Sequence, residues 1–180
     1  MAGEARDTRA AGPDLRASTG EHTHPLDGGF DSRLYDQVCF ACGGRNAHGL
    51  HLRFQRDGEG AVICRYEPKP EDQGFPGVMH GGILAALLDE SMAWAMWAGD
   101  RALGVTAKME TRYRRTVGTS GTLVVRGRVV RMRGRRIEVE ATVDDEAGER
   151  LAEATALFMR LAPEVEREMA EALGWADIPD

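Results

Sequence analysis

The run His80-Gly81-Gly82-Ile83-Leu84-Ala85-Ala86-Leu87-Leu88-Asp89-Glu90-Ser91-Met92-Ala93-Trp94-Ala95-Met96-Trp97 decides the fold of this chain. A histidine and two glycines open a helix that is apolar on nearly every side, so other elements must enclose it. Asp89, Glu90 and Ser91 interrupt it midway. A carboxylate held there loses hydration and needs a partner, a raised pKa or a wet cleft. Asp89 is therefore the leading candidate for chemistry, the plain alternative being a carboxylate that simply emerges at the surface.

Working outward, Gly99 and Asp100 end the helix. Before it, Leu50, Leu52 and Phe54 alternate, Arg56 to Gly60 form a turn, and Val62, Cys64 and Tyr66 begin a second strand. Pro68 to Gly77, rich in Pro and Gly, reads as loop. After the helix come strands only: Val105 to Val117, Thr122 to Met132, and Ile137 to Val143 with its clean alternation. A turn over Asp145 to Glu149 leads into Leu151 to Leu161, and Pro163 opens a short charged helix to about Leu173. Hairpin, buried helix and meander together predict an α+β fold with one antiparallel curved sheet wrapped around one long central helix. The divisions read as a flexible tail over 1–30, one domain over 31–162, and a short C-terminal helix and tail over 163–180.

Hydrophobic residues at 42% and charged residues at 29% exclude a disordered chain. The net charge of -6 argues against broad nucleic-acid binding. No uncharged apolar run is long enough to span a membrane, and Met1 to Gly29 lacks a signal-peptide core. Three cysteines do not suggest a disulfide scaffold, so the cytoplasm is the expected compartment. Arginines from Arg112 to Arg136 crowd one stretch, where most read as solvated strand faces. A few clustered guanidiniums could instead hold phosphates.

Three segments resemble the hotdog-fold thioesterase superfamily, specifically its phenylacetate-degradation type of acyl-CoA thioesterase. They are Cys39-Phe40-Ala41-Cys42-Gly43 with Asn46, Gly49 and Leu50; the helix run from His80 to Asp89; and Thr106 to Arg115. The resemblance implies a homodimer, able to pair further as a dimer of dimers, that hydrolyses an acyl-CoA substrate without a cofactor. It implies that Asp89 activates water or attacks the thioester carbonyl, with the Gly81 amide as oxyanion donor beside Gly82. His80 then positions that turn or the substrate carbonyl, and Thr106 orients the attacking water. Nine helical steps set His80 and Asp89 about 13 Å apart along the axis and on opposite sides. They cannot form one dyad within a chain, whereas the implied dimer brings them together across its interface.

Relatives often carry an amide side chain six residues before the histidine; here Gly74 stands there, with Gln73 adjacent as a substitute. Arg133-Gly134-Arg135 resembles the turn where relatives contact the nucleotide, and Arg115 is a second candidate for its phosphates. The rival on the same fold is a non-catalytic acyl-CoA or lipid-binding module. A hydratase normally uses a different histidine–carboxylate motif, which is absent.

Cys39-x-x-Cys42 with His48 and His51 invites a zinc reading, but His48-x-x-His51 is tighter than the usual spacing. The pair is therefore expected as a small buried cysteine cluster, with no metal assigned. Met92, Trp94, Met96 and Trp97 are expected in the core, or lining an acyl tunnel.

Overall fold

The computed structural model describes residues 29–178. A 3-10 turn over Ser32–Tyr35 precedes the strands β1 (Phe54–Arg56) and β2 (Ala61–Tyr66). A second 3-10 turn, Pro70–Asp72, leads to the short pair β3 (Gln73–Phe75) and β4 (Val78–Met79). Helix α1 (Gly81–Asp100) follows. Then come β5 (Gly104–Tyr113), β6 (Leu123–Arg133), β7 (Arg136–Asp144), β8 (Arg150–Arg160) and α2 (Pro163–Leu173).

Six strands form one antiparallel sheet in the order β1-β2-β6-β7-β8-β5, wrapped around α1 as the hotdog resemblance implies. The alternation in β7 explains why it sits centrally. Ile137, Val139, Ala141 and Val143 are buried toward α1, while Glu138 and Glu140 face outward. On the inner side Leu87, Leu88 and Met92 are fully buried. The closest approach of helix and sheet falls at Gly127, where a Cβ would lie 2.3 Å from the Ser91 carbonyl oxygen. Only a residue without a side chain fits there.

Several arginines of the basic stretch lie in ion pairs between neighbouring strands and turns. Arg114 meets Glu153 at 2.6 Å and Arg128 meets Glu140 at 2.5 Å. Asp144 pairs with both Arg126 and Arg150. Solvent exposure keeps the Arg114–Glu153 and Arg128–Glu140 pairs weak, whereas the Asp144 carboxylate is buried between its two arginines.

An aromatic cluster closes the far end of α1. Trp94 stacks on Tyr35 at 4.7 Å and on Phe54 at 5.4 Å, and Trp97 meets Trp175 edge-on at 5.0 Å. Met92, Trp94, Met96 and Trp97 are all buried core residues. The C-terminal segment joins the same core: Trp175 and Ile178 are buried, and Arg160 bridges Glu166 and Asp100.

Four expectations need correction. The strand expected to reach Val117 stops at Tyr113, because the next two amides, of Arg114 and Arg115, both turn to the Leu151 carbonyl. Of the expected first strand only Phe54 joins the ladder, which runs on to Arg56. The Pro68–Gly77 loop contains a helical turn and pairs with Val78–Met79. Finally, α1 is not enclosed on every side: Ala85, Ala86, Asp89, Glu90 and Ala93 are only partly covered. The expected tail over 1–30 lies outside the described residues except at Gly29 and Phe30, the latter packed on Trp94.

Candidate active site

The partly covered face of α1 lies beside β5, and Asp89 stands on it. Thr106 of β5 donates its hydroxyl to Asp89 Oδ1 at 2.7 Å. That bond fixes the carboxylate and leaves Oδ2 available to accept a proton. Neither residue is fully buried, so water reaches the pair. β5 itself is the outer strand of the sheet, and most of its side chains are exposed on both faces. Val105, beside Thr106, is 59% exposed, an unusual position for an apolar strand residue.

The first turn of α1 forms the second part of the site. His80 is the N-cap, and its Nδ1 accepts from the Gly82 amide at 2.8 Å. An accepting Nδ1 puts the proton of a neutral imidazole on Nε2, which then points away as a donor. The Gly81 amide, first in the helix, has no partner among the described residues and carries the positive partial charge of the helix terminus. Tyr113, at the end of β5, donates its hydroxyl to the Gly81 carbonyl at 2.8 Å. This tie was not anticipated: the two residues lie 32 positions apart, and a tyrosine near a strand end carries no distinguishing signal.

The loop ahead of His80 is held by Asp72, which accepts from the Tyr66 hydroxyl at 2.5 Å and the Lys69 amide at 2.8 Å. Its carbonyl takes the His80 amide at 2.7 Å. Gly74 lies under the imidazole, where a Cβ would come 3.1 Å from Cδ2. Gln73 is exposed, and its Oε1 accepts from the Gly77 amide at 3.3 Å, so its carbonyl oxygen serves the turn.

The structure does not bring all expected residues together within one chain. Asp89 and Thr106 form one group; His80, Gly81, Gly82 and Tyr113 form another, more than two helical turns away. Gly134, at φ +56, makes the turn between β6 and β7, with Arg133 and Arg135 exposed beside it. Arg135 Nε donates to the Arg160 carbonyl, so its guanidinium is partly engaged. This turn lies at the Thr106 end of the sheet, since Thr106, Phe158 and Ile137 are in register. Arg115 sits toward the opposite end of β8 and pairs with Glu149 at 2.5 Å.

A third group surrounds Glu90, on a different face of α1 from Asp89. Cys39, Cys42 and Glu90 place their ligand atoms within 4.8 Å of one another. The Cys42 thiol and the amides of Cys42, Ala41 and Gly43 hold Cys39 down at about 5. Burial and the neighbouring Cys39 push Glu90 up to about 7, while the same sulfur and burial raise Cys42. His48 and His51 do not belong to this group.

The family model described as Thioesterase superfamily matches residues 76–152, a span that covers α1 and most of the long strands. Acyl-coenzyme A thioesterase THEM4 of Rattus norvegicus is 28% identical over 115 residues, covering 63% of this chain and 49% of that protein. THEM4 of Bos taurus is 27% identical over 136 residues, covering 74% and 56%. The chain thus spans about half the length of the curated relatives it matches. Among solved structures, a thioesterase superfamily protein superimposes with a TM-score of 0.62 at 27% identity, over 69% of this chain and 60% of that one.

Proposed function

We propose that this chain, which the Thioesterase superfamily model matches over residues 76–152, hydrolyses an acyl-coenzyme A thioester to the free acid and coenzyme A. The named relatives are acyl-coenzyme A thioesterases, which favours that substrate class. The observation that carries the reading is the pairing of Thr106 with Asp89 on an uncovered helix face, beside an exposed edge strand.

The site is completed across a homodimer. β5 leaves one backbone edge unpaired and exposes Val105, features that a soluble chain normally covers. Edge-to-edge pairing of two copies covers both. It also carries the first turn of one α1 toward Asp89 of the partner, which a single chain cannot do. Two such dimers can pair again.

In the assembled site the thioester carbonyl points at the Gly81 amide, whose unpaired N–H stabilises the negative charge that develops on oxygen. The His80 Nε2–H donates to the same carbonyl, and Gly82 keeps His80 in place through its amide. Asp89 takes a proton from water as that water attacks, or attacks the carbonyl itself, while Thr106 holds the carboxylate. The tetrahedral species collapses with loss of the coenzyme A thiolate, which takes up the proton; where Asp89 has itself attacked, water then hydrolyses the acyl–aspartyl anhydride to the free acid and restores the carboxylate. Arg133 and Arg135, flanking Gly134, supply cations for the nucleotide phosphates, with Arg115 as a second contact. Gln73 contributes its amide N–H group at the mouth. Three free thiols suit a reducing compartment such as the cytoplasm. Among the described residues no helix is long and apolar enough to cross a membrane.

Thiol release over a panel of acyl-coenzyme A substrates tests the reading. The wild-type chain releases thiol and Asp89→Asn loses about 100-fold or more in kcat while keeping its circular dichroism spectrum. Retention of bound acyl-coenzyme A without thiol release would instead identify a binding module.

A further inference from the structure

Cys39-Phe40-Ala41-Cys42-Gly43 folds into a tight turn closed by the Gly43 amide, which donates to the Cys39 carbonyl at 3.0 Å, and the Cys42 thiol with the backbone of the turn holds the Cys39 thiol down at about 5. The turn admits no other residue at its end: a Cβ on Gly43 would lie 2.4 Å from the Cys39 nitrogen and 2.5 Å from the Gln37 carbonyl. Backbone amides aimed at a sulfur stabilise a thiolate, the form that ligates metal. The second sulfur is held in place by the Gln37 side-chain amide, which donates to Cys42 Sγ at 3.6 Å while anchored to the Leu34 carbonyl at 3.0 Å; Cys39 and burial favour its thiol, so a cation must displace that proton.

Glu90 reaches this turn from α1, 51 residues away in sequence, with its oxygens 3.9 and 4.0 Å from Cys39 Sγ. Trp94, one helical turn on, donates its indole N–H to Glu90 Oε1 at 3.0 Å. That bond orients the carboxylate and leaves Oε2 toward the sulfurs. Two sulfurs at 2.3 Å and one oxygen at about 2 Å from a common zinc centre stand about 3.5–4 Å apart, the spacing of tetrahedral coordination. The group occupies the wall of a cavity of about 150 Å³ that Trp97 and Trp175 also line. Trp175 is buried, and its indole N–H has no partner among the described residues, so the cavity offers a donor to a polar occupant.

We propose that Cys39, Cys42 and Glu90 bind a zinc-class divalent cation, with its fourth position open to this cavity and filled by water or a small anion. Two thiolates and a carboxylate bring three negative charges into a largely buried space, and a divalent cation neutralises most of that charge. Binding displaces the protons held by the group to solvent. The site lies on another face of α1 from Asp89 and fastens the N-terminal turn to the middle of that helix. Its role is structural and separate from thioester cleavage. The histidines that the sequence offered as partners are replaced by a carboxylate that no local spacing could reveal.

The test uses the full chain purified under reducing conditions. Elemental analysis after zinc loading and gel filtration gives about one zinc per chain, and cobalt substitution produces thiolate-to-cobalt charge-transfer absorption. Cys39→Ser and Glu90→Gln each weaken zinc binding by more than about 100-fold in competition with a chromophoric chelator, beyond the effect expected of an outer-shell partner. The double variant His48→Ala/His51→Ala and the variant Cys64→Ser bind as the wild type does. Folding of each variant is checked by circular dichroism, and the wild-type cobalt spectrum stands without any variant. A wild-type chain that retains no zinc and shows no charge-transfer band overturns the proposal. So does undiminished binding by Cys39→Ser and Glu90→Gln. These readouts are independent of thiol release, so failure here leaves the thioesterase reading untouched, and the converse holds.

Discussion

Thr106 of the outer strand and Asp89 of the central helix meet through one hydrogen bond of 2.7 Å, the hydroxyl donating to Oδ1. The bond gives the carboxylate a fixed orientation on a partly uncovered face of α1 beside β5. Removing it lets the carboxylate rotate and rehydrate.

Thr106→Ala should therefore lower kcat by about 10-fold, the equivalent of one hydrogen bond of about 1.4 kcal/mol. KM changes little, because the hydroxyl orients the attacking group rather than the substrate. Thr106→Ser keeps the hydroxyl and retains most of the activity. Steady-state thiol release on both variants measures this, and equal losses in the two would contradict the role.

Gly81→Pro deletes the unpaired amide with little change in shape. Proline is well tolerated at the first helical position, where its fixed φ suits the helix, and His80 before it is already extended. A Cβ at Gly81 meets only the Tyr113 ring, at an ordinary 3.6 Å. The expected outcome is a loss of about 100-fold in kcat with the melting temperature nearly unchanged. Full activity in a folded Gly81→Pro chain would remove this amide from the mechanism.

Tyr113→Phe breaks the tie between the end of β5 and the Gly81 carbonyl, 2.8 Å away. The bond is solvent-exposed, so global stability falls by less than about 1 kcal/mol. The first turn of α1 loosens, and a several-fold loss appears in kcat/KM. Thermal melts and kinetics on the same preparation separate the two effects.

How far these features could be read from the sequence differs from element to element. α1 was legible because its apolar run is long, starts at a histidine N-cap and two glycines, and ends at Gly99-Asp100. β7 was legible because one face is buried and the other wet, which imposes strict alternation. β5 is harder to read: exposed on both faces, it carries no alternation to mark its end, and the strand stops at Tyr113, four residues short of the expected Val117. Asp89 stood out as a charge inside an apolar run, whereas Thr106 and Gly81 gained roles only through family resemblance. The Tyr113–Gly81 and Cys39–Glu90 contacts join distant segments, 32 and 51 residues apart, and depend on how the sheet wraps the helix. No local pattern encodes that distance.

The central claim is that Asp89 of one chain works with the Gly81 amide of another, and complementation tests it most directly. Asp89→Asn and Gly81→Pro chains, each nearly inactive alone, are co-expressed in equal amounts with different affinity tags. Random pairing makes half of the dimers mixed, and each mixed dimer holds one intact site and one doubly damaged site. Thiol release by the mixture should recover to about a quarter of the wild-type rate, concentrated in the doubly tagged fraction. Doubly tagged dimers that stay as inactive as either parent would contradict a site shared between two chains.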